Sequence, residues 1–226
     1  MHILILMLII VGVVWLLLHK VLSEPRDALM KVPLTSVAEA KDGAPCKLVG
    51  VVKGEPEQML TTPFSARPAL YFVASLQVYN ADADDGFDTL LTEERGVEQI
   101  ELEDDSGTAR VRPAASGKPP WVVFDETSRA SVAAIPMEQV VRFVESNGKT
   151  LARDFPALVQ DSPTLPAPYR VVEEVMAQGD RVVAVGRARR DEDQLELTAA
   201  RGHRMFLSND LQAIADFART AVAPKE

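Results

Sequence analysis

The first hydrophobic feature of the chain is an uninterrupted apolar segment next to its amino terminus. Residues 3–18, ILILMLIIVGVVWLLL, contain sixteen positions without a charged side chain. A helix over residues 1–22 rises about 1.5 Å per residue and therefore reaches the ~30 Å of a bilayer hydrocarbon core. We predict a single membrane-spanning helix at 1–22, followed by a stalk at 23–43 that two prolines interrupt.

Beyond the stalk, the pattern changes to short apolar runs that are rich in β-branched and aromatic residues and separated by turn residues. Such runs predict strands. The run at 69–79, ALYFVASLQVY, is apolar on both faces and predicts a central buried strand. The predicted strands lie at 47–53, 69–79, 97–104, 108–112, 121–124, 169–176, 181–190 and 195–199.

The last two predicted strands have a definite register. If a tight turn at 191–194 joins them, Arg189 lies opposite Glu196 and Arg187 lies opposite Thr198. One face of the hairpin is then charged, and the other face carries only small and aliphatic side chains. A strongly curved sheet with one apolar face is typical of a small barrel.

Three segments have helical signals. Pro136 before a run of valines, with Asn-Gly after it, predicts a helix of about three turns, and 151–159 predicts a shorter one. Ser208 can cap an amphipathic helix in 209–226. The fold class is therefore mainly β (α+β): an N-terminal transmembrane helix, a small antiparallel β-barrel-like domain at 44–208 with accessory helices, and a C-terminal amphipathic helix and tail.

The charge distribution limits the kind of partner. The chain carries 33 acidic and 24 basic residues for a net charge of −9, and of the basic residues only Lys20 precedes Ser23. The body after the apolar segment is therefore acidic, and phosphate backbones repel it. We expect the membrane and an unknown protein as partners, and no nucleic acid.

The flanking charges predict the orientation of the anchor. The apolar segment is preceded by no Lys or Arg and followed by Lys20, Arg26 and Lys31, which places the body in the cytoplasm by the positive-inside rule. The expected location is the cell (plasma) membrane. A cleavable signal peptide is the alternative, but the basic amino-terminal region and the small-residue cleavage site are missing. Lys is scarce against Arg, 8 to 16, which suggests a GC-rich prokaryotic genome.

Composition also limits the chemistry. Cys46 is the only cysteine and His203 the only histidine after residue 19, so no disulfide or structural zinc site is expected, and neither metal nor cofactor is implied. The acidic loop at 80–88 fails the EF-hand spacing. A hydrolase would need His203 as its base, yet no G-x-S-x-G turn accompanies any serine. We expect His203→Ala to leave function intact.

One basic cluster has two open interpretations. Its side chains can form ordinary ion pairs on a strand face, or they can form a patch that binds lipid headgroups or an acidic partner. Its members are Arg187, Arg189, Arg190, Arg201, His203 and Arg204.

Four motifs in order carry a family resemblance. The segments TTPFSARPALYF (61–72), LEDDSGTARVRP (102–113), EEVMAQGDRVVAVG (173–186) and GHRMFLS (202–208) resemble the GIDE or "beside a membrane" (BAM) domain. That domain is known from mitochondrial membrane-anchored RING-type ubiquitin ligases and from bacterial membrane proteins. The resemblance spans about 46–208. The residues that match its motifs are Pro63, Ser65, Tyr71, Glu103, Asp104, Gly107, Glu173, Gly179, Asp180, Gly186 and Ser208.

The resemblance implies binding rather than catalysis. In the ubiquitin-ligase relatives, a second membrane span and a RING finger with Cys and His zinc ligands follow this domain, whereas this sequence has one cysteine. We therefore expect no ligase activity and no catalytic residues from these motifs. The expected function is that of a membrane-proximal protein-binding or scaffolding module. The alternative is a substrate-recognition subunit that serves a separate ligase or protease.

Overall fold

The computed structural model describes residues 32–54, 56–113, 119–159, 162–192, 194–199 and 204–210. The predicted membrane helix at 1–22 and nearly all of the predicted helix in 209–226 lie outside these ranges. Within the described ranges, no helix has the length and apolar character needed to cross a membrane.

The described part of the chain is mainly β, as predicted. Two α-helices are present in it, α1 (Met137–Ser146) and α2 (Leu151–Asp154). The strands are β1 (Pro45–Lys53), β2 (Leu60–Thr61), β3 (Pro68–Ala69), β4 (Tyr71–Tyr79), β5 (Phe87–Gly96), β6 (Ile100–Asp104), β7 (Gly107–Arg112), β8 (Trp121–Val123), β9 (Arg129–Val132), β10 (Tyr169–Met176), β11 (Arg181–Asp191), β12 (Gln194–Thr198) and β13 (Phe206–Ser208).

Five strands close into a small barrel in the order β1-β6-β7-β12-β11, because β11 also pairs with β1. The predicted register of its last hairpin is confirmed, with Arg189 opposite Glu196 and Arg187 opposite Thr198. The expectation of a wholly antiparallel barrel is wrong, since β7 and β12 pair in parallel. Strands β8 to β11 lie between these two strands in the sequence, so no tight hairpin forces them to be antiparallel.

Alternating apolar side chains fill the barrel. Leu48, Leu102, Ala109, Val182 and Leu197 are among its fully buried residues. They occupy every second position of their strands, so the polar residues between them face outward. β13 continues along the edge of β11 beyond β12, and β8 pairs with β13 in parallel.

A second sheet has the order β5-β4-β10-β9, and α1 covers one of its faces. The predicted central strand at 69–79 is confirmed as β4, between β5 and β10. Phe72, Leu76, Val140 and Phe143 meet in the core between this sheet and α1. Although β10 and β11 follow each other in sequence, they belong to different sheets, so the turn between them connects the two halves of the domain.

The second half of the predicted stalk packs onto the barrel. Leu34 forms a β-bridge with Lys47, and the side chains of Val37 and Ala40 are buried in the barrel core. The folded body therefore includes residues before position 44. The loop after β4 is largely exposed, as its acidic sequence predicted.

Candidate functional site

The Glu173 carboxylate anchors the loop that carries the first family motif. Glu173 is fully buried on β10 and accepts hydrogen bonds from the amide of Phe64 at 2.8 Å and from that of Ser65 at 3.2 Å. The hydroxyl of Ser65 also donates to this carboxylate. Charged hydrogen bonds of this kind compensate for the loss of water around a buried carboxylate. Pro63 lies in the same loop, which Glu173 therefore holds against the sheet.

The Asp104 carboxylate fixes the β6–β7 hairpin to the segment before β1. It accepts hydrogen bonds from the amide of Val37 at 2.8 Å and from the amide and hydroxyl of Ser106 at 2.7 and 2.6 Å. Burial favours the neutral acid, but hydrogen bonds from Ser106, Val37 and Gly107 outweigh it and hold the pKa of Asp104 below its ordinary value. These hydrogen bonds therefore hold the β6–β7 hairpin against the segment before β1.

Tyr71 connects β4 to the edge strand β5. Its hydroxyl donates a hydrogen bond to the Glu94 carboxylate, and its ring lies against Gly96. A Cβ at position 96 would lie 2.4 Å from Cδ2 of this ring, so the position needs glycine. Burial raises the pKa of Tyr71, and the hydrogen bond to Glu94 and its negative charge raise it further.

Asn209 joins three parts of the body. Its side-chain amide donates to the Ser128 hydroxyl at 2.7 Å and to the Asp180 carboxylate at 3.2 Å, and its oxygen accepts from the amide of Asp125 at 3.1 Å. The Asp180 carboxylate also accepts the amide of Ala177 at 2.8 Å across the β10–β11 turn. The motif residue Asp180 is therefore part of a hydrogen-bond network rather than of a cavity.

The other motif residues also have structural contacts. Gly179 occupies the β10–β11 turn with φ +89°, a conformation that favours glycine. A Cβ on Gly186 would lie 2.5 Å from the Thr198 carbonyl oxygen. Glu103 forms an exposed ion pair with Lys53 at 3.0 Å. The buried Ser208 hydroxyl accepts the amide of Asp210 at 3.1 Å, and the helix that Ser208 is predicted to cap lies almost wholly outside the described residues.

The predicted basic cluster is divided by the fold. Arg187 and Arg189 are exposed on the outer face of β11. Arg190 lies on the opposite side of that strand, and its guanidinium donates to the carbonyl oxygens of Val37 at 2.8 Å and Ala40 at 3.3 Å. Arg190 is therefore engaged with the segment before β1 and not with the outer face.

The remaining members of the cluster lie elsewhere. The Arg204 guanidinium lies 5.9 Å from the centre of the Trp121 ring. Arg201 and His203 lie outside the described residues. Binding of lipid or of an acidic partner by this cluster stays a prediction.

The parallel pairing of β7 and β12 brings other arginines near Arg187 and Arg189. Arg110 lies opposite Glu196, and Arg112 pairs with the same glutamate at 3.3 Å. Charges of both signs therefore alternate across this outer face of the barrel, which is the pattern of ordinary strand-face ion pairs.

A concave surface lies between α1, β5 and the loop that Glu173 anchors. We call it the helix–sheet groove; it has a volume of about 370 Å³. Leu60, Pro63, Phe72 and Phe143 form its apolar part. The ring of Phe143 also packs at 4.8 Å, centre to centre, on that of Phe64. The apolar part of the groove is thus held by the anchored loop and α1 together.

Charged and polar side chains form the rest of the groove. Glu93 and Arg95 come from β5, and Gln139 and Arg142 come from α1. Glu93 is nearly buried, and it pairs with Arg95 at 2.5 Å and accepts a hydrogen bond from Asn147 at 3.2 Å. The sequence analysis missed this site. The run Glu93-Glu94-Arg95 and the polar side of α1 were its only signals, and they meet only in the tertiary structure.

A second concave surface lies at the carboxyl end of β5, along the connection from β5 to β6. It has a volume of about 490 Å³ and is lined by Leu60, Gly96, Val97, Glu98 and Gln99, together with Gln58. We call it the barrel-side depression. Leu60 belongs to both concave surfaces, which therefore meet at the end of β5.

Two groups that could carry other chemistry are buried in β1. Burial raises the pKa of the Cys46 thiol to about 11 and lowers the pKa of Lys47. A thiol with a raised pKa is a poor nucleophile. In the described part of the chain, no group of three or more His, Cys, Asp and Glu side chains is placed to hold a metal ion.

The fold defines a mainly β domain in which a closed five-stranded barrel is joined to a helix-covered sheet. The family model GIDE, described as E3 Ubiquitin ligase, matches residues 90–213, more than half of the chain, and the chain belongs to this family. The predicted family is thereby confirmed. The match begins within β5, so the motif at 61–72 lies outside it. No curated protein and no solved structure matches the chain.

Proposed function

We propose that this protein is a non-catalytic protein-binding domain of the GIDE family and that the helix–sheet groove is its binding site. The groove carries the proposal, because it combines an apolar surface around Phe72 and Phe143 with charged groups from β5 and α1. Protein interfaces use this combination of a buried apolar centre and a polar rim.

The roles of the motif acids support binding rather than catalysis. Glu173 and Asp104 accept hydrogen bonds from backbone amides of distant segments, and Asp180 accepts one from Asn209. Each of these carboxylates holds a loop, whereas a catalytic acid or base must reach a substrate atom. The motifs thus maintain the shape of the body that presents the groove.

Attachment to a membrane is the second part of the proposal. It is supported by the uncharged segment 3–18, which is long enough for a span together with its flanking residues. Lys20, Arg26 and Lys31 on its carboxyl side favour a cytoplasmic body at the cell membrane. The groove would then meet partners that lie in, or close to, the same membrane.

A substrate-recognition role is the second candidate, and the family description favours it. A domain related to E3 ubiquitin ligases could select substrates for a separate enzyme. The 226 residues contain one cysteine, and Cys46 is buried, so these residues alone cannot supply the zinc ligands of a RING finger.

Site-specific crosslinking tests the proposal. A photo-reactive residue replaces Gln139 in the groove of the full-length protein, in native membranes, and the captured proteins are identified. The control places the same residue at Arg189 on the outer barrel face. We expect discrete adducts from position 139 that position 189 does not form. Equal capture at both positions, or none at 139, would refute the groove as the binding site.

The identity of the captured proteins separates the two candidates. A conjugating enzyme, ligase or protease that is recovered in a ternary complex with the captured protein favours substrate recognition. Adducts that contain only other membrane proteins favour scaffolding.

A further inference from the structure

The edge strand β5 contributes Glu93 and Arg95 to the helix–sheet groove. β5 pairs with β4 on one side, and in the described part of the chain no strand pairs with its other side. An open strand edge offers backbone amides and carbonyls to another extended chain. Resting on the proposed function, we infer that the partner binds as an additional strand on β5, with an acidic side chain in the groove.

The regular part of β5 is long enough for this mode. The register with β4 shifts between Leu76 and Gln77, which leaves Leu90 as an extra residue in β5. From Leu91 to Gly96 the pairing is continuous. Six residues make an ordinary strand, so an added strand can align with 91–96 without crossing the bulge.

The two concave surfaces meet at the carboxyl end of this same segment. Glu93 and Arg95 line the helix–sheet groove, whereas Gly96 lines the barrel-side depression, and Leu60 belongs to both. Successive side chains of a strand point to opposite faces of its sheet. A strand added to β5 would therefore direct every second side chain toward the face that carries Glu93 and Arg95.

The charges of the groove favour a carboxylate in the partner. Glu93 is already paired, with Arg95 at 2.5 Å and Asn147 at 3.2 Å. Arg142 contacts Glu138 only at 3.8 Å, and these two side chains are 66% and 82% exposed. A weak exposed pair costs little to replace. An incoming carboxylate can therefore bind Arg142 through two parallel hydrogen bonds.

The inferred ligand is therefore an extended segment with an acidic residue at a position that faces the groove.

Charged residues on an edge strand often serve to prevent pairing. In β5, however, Glu93 and Arg95 neutralise each other on one face, and Glu94 is held by Tyr71 on the other. The bulge at Leu90 precedes the segment 91–96 and does not interrupt it. The segment next to the groove therefore remains suited to pairing.

Peptide selection tests the inference. The full-length protein in nanodiscs selects from a displayed library of random peptides of about eight residues, the length of an ordinary strand. Selected peptides are then compared with versions that are N-methylated at alternate backbone amides. Binding is measured to the wild type, to Arg142→Glu, and to Arg129→Glu, a control on the other edge strand of the same sheet, β9.

We expect selected peptides that contain an acidic residue. Arg142→Glu should weaken their binding by about tenfold or more, and N-methylation should do the same, because it removes backbone donors. Arg129→Glu should leave binding unchanged. Strand addition would be overturned if the selected peptides kept their affinity whichever set of alternate backbone amides is N-methylated. A selection that yields no binding peptide would overturn it as well.

The result separates the mode of binding from the function. If crosslinking at Gln139 captures a protein while no peptide binds along β5, the inferred mode fails and the proposed function stands. If position 139 captures nothing, the proposed function itself fails.

Discussion

Glu173 on β10 accepts a hydrogen bond from the backbone amide of Phe64, a residue 109 positions earlier in the chain, at 2.8 Å. The same loop contributes Pro63 to the helix–sheet groove, and the ring of Phe64 packs on that of Phe143. A single buried carboxylate thus connects a family motif to the shape of the candidate binding site.

The first prediction concerns this carboxylate. Glu173→Gln should lower the free energy of unfolding by about 1–3 kcal/mol, because the amide replaces a charged acceptor and adds a donor opposite other donors. Chemical denaturation of the body measures this change. Glu174→Gln, at the neighbouring and more exposed position, should have a much smaller effect. Equal effects of the two variants would contradict the anchoring role.

The second prediction concerns acid stability. The pKa of Asp104 is lowered in the folded state, so folding favours its ionised form. Its stabilising effect should be complete above the unfolded pKa of about 3.9 and should be lost as the pH falls through the lower folded pKa. Asp104→Asn should therefore destabilise the protein most near neutral pH and least in acid.

Urea midpoints for Asp104→Asn and the wild type across this pH range test the sign. Asp105→Asn is the control, since Asp105 is exposed in the same turn. A difference between Asp104→Asn and the wild type that stays constant with pH would exclude this linkage.

The third prediction compares two glycines. A Cβ on Gly186 would lie 2.5 Å from the carbonyl oxygen of Thr198, whereas one on Gly54 would lie 2.7 Å from the end of the Leu70 side chain. A leucine methyl can move, but a strand carbonyl cannot move without disturbing the barrel. Gly186→Ala should therefore destabilise by about 2–3 kcal/mol and Gly54→Ala by less, as thermal unfolding would show. The reverse order would argue against this packing.

The fourth prediction uses the single cysteine as a probe. Cys46 is 2% exposed and its pKa is raised to about 11, so it should react with a thiol reagent far more slowly in the native protein than in urea. Rapid native labelling at pH 8 would show that β1 opens or is accessible. Asp104→Asn, which loosens the segment before β1, should speed the reaction.

The fifth prediction concerns the apolar segment. Full-length protein should stay in the membrane pellet after alkaline carbonate extraction, and arginine at both Leu8 and Val13 should release it, because charges at the centre of a span are costly. Arginine at both Ser23 and Ala28, outside the segment and with the same spacing, is the matched control. Extraction of the unaltered protein would contradict anchoring by this segment.

Local sequence signals predicted much of the body. The β-branched runs predicted β1, β4 and β11, and the turn between β11 and β12 determined their register. β5 was not predicted as a strand. Its outer edge is open and most of its residues are exposed or half-buried, so its sequence lacks the apolar alternation that marks a strand with a buried face.

The binding site could not be predicted in the same way. Glu93 and Arg95 reach the groove only because β5 lies at the edge of the second sheet, and Arg142 reaches it only because α1 packs on that sheet. The separation of Arg190 from Arg187 has a similar origin. Arg190 turns to the carbonyls of Val37 and Ala40, a segment some 150 positions away in sequence.

By itself, the sequence determined the mainly β class, the positions of most strands and of α1, the membership in the GIDE family and the amphipathic register of the last hairpin. These features depend on periodicity and turn chemistry, which act between residues close in the chain. The tertiary structure decided the parallel closure of the barrel, the loop-holding roles of the buried acids and the position of the groove. Those features depend on contacts between distant segments, and such contacts leave no local pattern.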